Sequence, residues 1–208
     1  MLVSPALNPA LREARFDGDA SLDAAGARAA RAAAPHLPAA DRYAVGASAR
    51  CAATARELGL PGAESPEAAP AGWALGRWAG LRLDEVAAAE PEALAAWTTD
   101  PEAAPHGGES LRGLLGRVGS WLDAEAWAAD GPGGEGPGAR RRPLRLLAVV
   151  EPAVVRAAAT HALGLPPAAF WRLDVGPLTL TALTGRPDRW NLATGHALAP
   201  AGAVRGEG

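Results

Sequence analysis

Short apolar runs alternate with longer amphipathic stretches along the chain, and this pattern predicts β-strands alternating with α-helices. The strongest strand signal is the continuous apolar run Leu144–Val150, which is typical of a central strand covered on both faces. Amphipathic periodicity predicts a long helix over Glu109–Ala129. The other predicted strands are Met1–Val3, Tyr43–Gly46, Leu178–Leu183 and Arg189–Leu192. The other predicted helices are Ser21–His36, Ala49–Leu58, Leu83–Ala89, Pro91–Trp97 and Pro152–Leu163. Ser21 is the predicted N-cap of the first of these helices. Such alternation indicates an α/β fold with a mostly parallel sheet.

Length and composition favour one globular unit. A chain of 208 residues, 49% of them hydrophobic, can bury one substantial core, so we predict a single domain over residues 1–208. Gly, Pro and Arg dominate near residues 130–143, which predicts a flexible surface loop, and residues 199–208 are expected to form a disordered tail.

Charge and local patterns exclude several classes of protein. The formal net charge of −3 argues against a nucleic-acid partner, because no basic excess is present to neutralise phosphates. Neither a signal peptide nor an apolar run of about 18 residues is visible, which predicts a cytoplasmic protein without a membrane span. The four histidines are scattered without metal-ligand spacing, and a lone cysteine cannot form a metal cage. We therefore expect no metal and no cofactor.

A series of short motifs follows in a fixed order along the chain. They are Leu22-Asp23-Ala24-Ala25-Gly26, Gly46-Ala47-Ser48-Ala49-Arg50-Cys51-Ala52-Ala53-Thr54-Ala55, Gly76-Arg77-Trp78-Ala79-Gly80, Pro105-His106-Gly107-Gly108-Glu109-Ser110, Leu147-Ala148-Val149-Val150-Glu151-Pro152 with Arg156 beyond it, and Gly164-Leu165-Pro166 with Phe170-Trp171-Arg172-Leu173. In this order and spacing the chain resembles the histidine phosphatase (phosphoglycerate-mutase-like) superfamily over nearly its whole length. The resemblance implies a three-layer α/β/α fold with a mostly parallel central sheet, and a phosphate cup of two arginines and two histidines.

The chain departs from the family pattern at the positions that carry the chemistry. By this resemblance the nucleophilic histidine falls on Pro5, preceded by Ser4, and the second histidine falls on Glu151. The acid/base carboxylate falls on Gly72, and only Arg50 of the cup remains. Proline has no side-chain atom able to attack phosphorus. A carboxylate at position 151 would repel a phosphate, since two like charges in contact cost about 4 kcal/mol at an effective dielectric near 20.

We therefore hypothesise that Arg50 and Glu151 form an ion pair that closes the former phosphate pocket. A carboxylate directly after a buried strand is costly unless it is paired or reaches a cleft. The alternative for Arg50 is a purely structural role, in which its guanidinium caps loop carbonyls.

Other candidate residues have both functional and structural interpretations. Trp73 can line the pocket wall, as can Trp78, but either can equally pack the core. His106 belongs to the segment that borders the family's pocket, although a surface-loop histidine is the preferred interpretation. Ser4 could contact a ligand, yet no histidine stands beside it in sequence to activate it. Cys51 begins a helix, where a thiolate would be stabilised, but a small buried residue is the commoner outcome.

Three functions remain open from the sequence. The first is a catalytically inactive pseudophosphatase that binds a protein or a small anionic or zwitterionic ligand, with Arg50 and Glu151 in its site. The second is an enzyme of altered chemistry in which Glu151 acts as general base and Arg50 orients the substrate. The third, residual phosphatase activity through His106 or His161, is the least favoured. The resemblance is compatible with a monomer or a homodimer.

Overall fold

The described part of the chain forms one five-stranded sheet with helices on both faces. A computed structural model describes residues 1–16, 18–61, 63, 67, 70–130 and 144–197. The predicted tail at 199–208 lies outside the described residues, and so does the predicted loop at 130–143 except for Asp130.

The strands are β1 Leu2–Val3, β2 Arg42–Val45, β3 Leu146–Val149, β4 Thr179–Arg186 and β5 Arg189–Ala197. The α-helices are α1 Pro9–Arg12, α2 Ala24–Ala33, α3 Ala49–Glu57, α4 Leu83–Ala89, α5 Pro91–Thr99, α6 Leu111–Asp130 and α7 Pro152–Ala162. Short 3-10 turns lie at Ala34–His36, Gly76–Trp78 and Pro167–Arg172. The predicted elements are therefore present, although β5 runs five residues beyond the predicted end at Leu192.

The sheet has the order β2-β3-β1-β4-β5, in which the first three strands are parallel and the last two join as an antiparallel hairpin. Val3, Val45 and Val149 share one level of the parallel part, because each pairs in register with its neighbour. The three parallel strands thus end together. The residues that follow them in the chain are brought to one edge of the sheet, where ligands bind in open α/β sheets.

Alternating strand residues build two core layers. Ala148 packs with α6 and α7 on one face of the sheet, where Leu114 and Val155 are also buried. Leu147 and Val149 point to the opposite face and pack with α2 and α3. The structure therefore has the three-layer α/β/α arrangement with a parallel sheet core that the sequence predicted.

Helix α2 begins at a different residue from the one predicted. Asp23, not Ser21, is the N-cap, and its side chain accepts a hydrogen bond of 2.7 Å from the backbone N–H of Gly26. Arg12 also binds the Asp23 carboxylate. These two interactions, the arginine first, lower the pKa of Asp23 to about 2. The carboxylate is therefore charged near neutral pH and suits the positive end of the helix dipole.

Backbone hydrogen bonds join the segment that leads into the Gly76–Gly80 motif to the Pro105–Ser110 motif. We call this contact the interlock of the glycine motifs. The Arg77 N–H donates to the His106 carbonyl at 3.0 Å, and the Glu109 N–H donates to the Ala74 carbonyl at 2.8 Å. Gly76 has a φ of +49°, a left-handed conformation that glycine adopts without steric cost. This interlock holds the segment that carries Trp73 and Trp78 against the start of α6.

Glu109 also lies outside the helix that was predicted to begin there. Its carboxylate accepts two hydrogen bonds from Arg117, at 2.8 and 2.9 Å, while its carbonyl accepts one from Trp73 Nε1 at 2.7 Å.

Among the residues that the structure describes, no helix is long and apolar enough to cross a membrane.

Candidate functional site

A cleft of about 630 Å³ lies at the carboxyl ends of the parallel strands. Residues following all three strands reach it, namely Pro5 after β1, Arg50 at the start of α3 after β2, and Glu151 after β3. Gly72 and Trp73 line it as well. Five residues singled out from the sequence are thus brought together in one place.

The predicted ion pair between Arg50 and Glu151 is present at this cleft. Arg50 Nη2 donates to Glu151 Oε2, and Arg50 Nε donates to Glu151 Oε1 at 3.3 Å. The side chains are 2% and 8% exposed, so the pair is shielded from water and from salt. The pair does not close the pocket, and that part of the prediction is wrong. A cleft lined by both residues remains.

Glu151 Oε1 has further donors around it. The Ser48 hydroxyl donates to it at 2.6 Å, and Ser48 Oγ also caps α3 by accepting from the backbone N–H of Cys51 at 3.1 Å. The Cys51 thiol lies 3.6 Å from the same carboxylate oxygen. The Glu151 carboxylate is therefore surrounded by hydrogen-bond donors, and its acceptor sites are largely occupied. An occupied, buried carboxylate is poorly placed to act as a general base.

Cys51 is expected to resist modification in the native protein. Burial, together with the adjacent Glu151 charge, raises the pKa of its thiol well above the ordinary value, so little thiolate forms between neutral and mildly alkaline pH. With a disulfide-exchange dye we expect negligible labelling of native protein across this range and one thiol per chain in denaturant, since the chain has a single cysteine. Rapid native labelling that increases from neutral to mildly alkaline pH would contradict this placement.

Gly72 occupies the position where the resemblance places a catalytic carboxylate, and the Glu151 side chain leaves little room for a side chain there. A Cβ at Gly72 would lie 3.1 Å from Glu151 Cγ, tighter than ordinary van der Waals contact. The Gly72 carbonyl is held by Arg117 Nη2 at 3.2 Å, so this segment is anchored. Glycine at 72 and glutamate at 151 are therefore spatially coupled, because the Glu151 side chain fills the space beside the glycine.

A second arginine contributes to the cleft and was not assigned to the site from the sequence. Arg156 lines the cleft from α7, and its guanidinium carbon lies 5.8 Å from the centroid of the Phe170 ring. Its Nε is buried without a hydrogen-bond partner among the described residues. The available signal was its position five residues after Glu151, on the helix that begins there.

One wall of the cleft consists of aromatic side chains. Trp73 and Trp171 are half-buried, and they pack against Trp97 with ring centroids 4.9 and 4.7 Å away. Phe170 stands edge-on to Trp73 at 5.4 Å. Trp73 thus both lines the cleft and packs in the core. Trp78 is fully buried behind this wall and does not line the cleft.

Two residues predicted to bind a ligand do not line the cleft. The buried Ser4 hydroxyl bonds to the Gly176 carbonyl and to the Thr179 hydroxyl, and so ties β1 to the segment before β4. His106 is 1% exposed and packs on Trp78 and Trp97, so its interpretation as a surface-loop histidine is wrong. The aromatic side chains around it provided no sequence signal, because they come from separate elements.

His106 is held as a neutral imidazole. Its Nδ1 accepts a hydrogen bond from the backbone N–H of Gly108 at 3.0 Å, which leaves the proton on Nε2. Burial, and secondarily the charge of Arg77, lower the pKa of His106. It is therefore a packing residue near neutral pH.

Across the described residues no group of three or more His, Cys, Asp or Glu side chains could hold a metal ion.

These features define an α/β protein with a mostly apolar cleft at the ends of its parallel strands and a buried ion pair at the cleft. Residues 8–196 match the family model of the histidine phosphatase superfamily, branch 1. The chain belongs to this superfamily. Comparison with curated protein sequences gave no significant match.

Solved structures similar to this chain carry the same fold. A mycobacterial glucosyl-3-phosphoglycerate phosphatase is 25% identical, with a TM-score of 0.74 over 93% of this chain and 95% of its own. A complex of that phosphatase with VO3 is 27% identical, with a TM-score of 0.74 over 94% and 97% of the two chains. The α-ribazole phosphatase from Shigella flexneri is 17% identical, with a TM-score of 0.76 over 95% and 96%, and this likeness concerns the fold alone.

Proposed function

We propose that this chain is a catalytically inactive member of the histidine phosphatase superfamily, which uses the cleft to bind a small ligand. The observation that carries the proposal is the hydrogen bonding of Glu151, which lies two residues beyond the end of β3. Arg50 and Ser48 both hydrogen-bond to its carboxylate. By the family resemblance Glu151 takes the place of the second catalytic histidine, so an acidic side chain replaces a group that would supply positive charge or donors to the transferring oxygens.

Pro5, two residues beyond the end of β1, supports the same conclusion. Pro5 lines the cleft and has neither a nucleophilic atom nor a donor. The histidines with described side chains, His36, His106 and His161, are not among the residues lining the cleft. Covalent catalysis through any of these three histidines would require that histidine to move into the cleft. The alternative of an altered enzyme using Glu151 as base is weakened by the occupied carboxylate.

Hydrolysis of a phosphate-monoester panel tests the proposal directly, because the similar solved structures are named phosphatases. We expect no release of inorganic phosphate above the protein-free blank for wild type, with an active superfamily member as positive control. An Arg50→Ala variant and an Arg156→Gln variant should give the same blank. Circular dichroism verifies that each variant is folded, which matters most for Arg50→Ala because it leaves Glu151 unpaired.

Turnover by wild type that is lost in either folded variant would overturn the proposal. It would mean that a nucleophile other than a strand-end histidine operates beside these arginines.

A further inference from the structure

Three residues that line the cleft each carry a buried N–H group without an acceptor among the described residues, and two further such groups, on His106 and Trp121, belong to residues that do not line it. Arg50 Nη1, Arg156 Nε and Trp97 Nε1 have no hydrogen-bond partner within the described part of the chain, and all three residues line the cleft. Buried donors are almost always satisfied, and an unsatisfied one, above all on a cation, lowers stability. The presence of three such donors on residues of one cleft favours a ligand that supplies the acceptor.

The charges around the cleft favour a ligand with a single negative charge. Arg50 and Glu151 neutralise each other, which leaves the charge of Arg156 without a described ion-pair partner. Asp19 also lines the cleft, but its side chain is exposed and accepts from the Ala49 N–H, so solvent screens its charge. One carboxylate would neutralise Arg156. A dianionic phosphate ester would leave a net negative charge next to Glu151.

The aromatic wall favours a flat apolar group. Trp73, Trp97 and Trp171 contact one another with ring centroids 4.7 to 5.7 Å apart, so they form a continuous surface rather than a cage around a gap. Such a surface suits stacking or edge-to-face contact with another ring. A cage for an ammonium group would need its rings spread around the cation.

We propose that the cleft binds an aromatic monocarboxylate, with its ring against the Trp73–Trp171 wall and its carboxylate accepting from Arg50 Nη1 and Arg156 Nε. A carboxylate has two oxygens and about four acceptor sites, enough for both guanidinium groups. This inference rests on the proposed binding function and names the ligand class of that same site. It differs from the phosphate esters that the superfamily resemblance implies.

Quenching of tryptophan fluorescence provides the measurement, since three tryptophans line the cleft. The probes are phenylacetate, its neutral isostere phenylacetamide, and phenyl phosphate, at mildly alkaline pH where the ester is a dianion. We expect phenylacetate to bind at least about tenfold more tightly than either of the others. Equal or tighter binding of phenylacetamide or phenyl phosphate, or no saturable quenching by any probe, would overturn the inference.

Variants separate the charged contact from the apolar one. Arg156→Gln should remove the preference for phenylacetate over phenylacetamide, whereas Trp171→Leu should weaken both probes by a similar factor. Arg172→Gln is the matched control, because Arg172 is exposed and does not line the cleft, and it should keep wild-type affinities. An Arg156→Gln variant that retains the full preference would refute the carboxylate contact, whatever the result with Trp171→Leu.

The same samples distinguish this inference from the proposed function. Release of inorganic phosphate from phenyl phosphate would overturn the inactive-phosphatase proposal whichever probe binds best. Absence of turnover together with no preference for the carboxylate would overturn the ligand class alone.

Discussion

Replacing Glu151 by Ala is expected to lower the free energy of unfolding by about 3 to 5 kcal/mol. The substitution leaves the Arg50 guanidinium, only 2% exposed, without its counter-ion. It also removes the acceptor of the Ser48 hydroxyl. Urea denaturation followed by circular dichroism measures the change. This loss arises because the Arg50 charge is left buried without a counter-ion. It is therefore larger than the free energy that the ion pair itself contributes to stability.

A double variant tests that distinction. Arg50→Met combined with Glu151→Leu removes both charges and keeps apolar volume, so its stability should lie within about 1 kcal/mol of wild type or above it. The surface pair Arg112–Glu102, with both side chains more than half exposed, is the matched control. Glu102→Ala should cost no more than about 1 kcal/mol. If Glu151→Ala costs as little as Glu102→Ala, Arg50 and Glu151 are not a desolvated pair in solution.

Hydrophobic periodicity located the main elements because each buries a face whose repeat is visible in the sequence. The apolar run Leu144–Val150 contains β3, and the predicted strand Leu178–Leu183 covers the first five residues of β4, which continues to Arg186. Boundaries were less accurate where side-chain contacts decide them. Ser21 and Asp23 are both good N-cap residues, and Asp23 is the observed cap, with the additional contact from Arg12 eleven residues earlier. No local pattern predicts that contact.

The sequence predicted the site residues that follow the strands, but it did not predict the residues that form the rest of the cleft. The family resemblance placed Pro5, Arg50 and Glu151 in one site, and the opposite charges of Arg50 and Glu151 predicted their ion pair. The structure brings these residues together because the three parallel strands end at one edge of the sheet. The depth of the cleft depends on Trp97 from α5 and on Phe170–Trp171, which approach only through tertiary packing. Closure of the pocket was therefore predicted wrongly, and Arg156 was not assigned to the site.

Replacing Gly76 by Ala is expected to lower the free energy of unfolding by about 3 kcal/mol or more, because Gly76 lies in the interlock of the glycine motifs. A Cβ at Gly76 would collide with the His106 carbonyl oxygen and lie 2.9 Å from Gly108 N, and backbone cannot yield as a side chain can. Gly80→Ala is the matched control, because Gly80 also has a positive φ, +81°, but faces open space. It should show only the cost of the left-handed backbone, about 1 kcal/mol. Thermal unfolding compares the two variants, and equal losses would mean that backbone conformation, rather than contact with the His106–Gly108 segment, requires glycine at position 76.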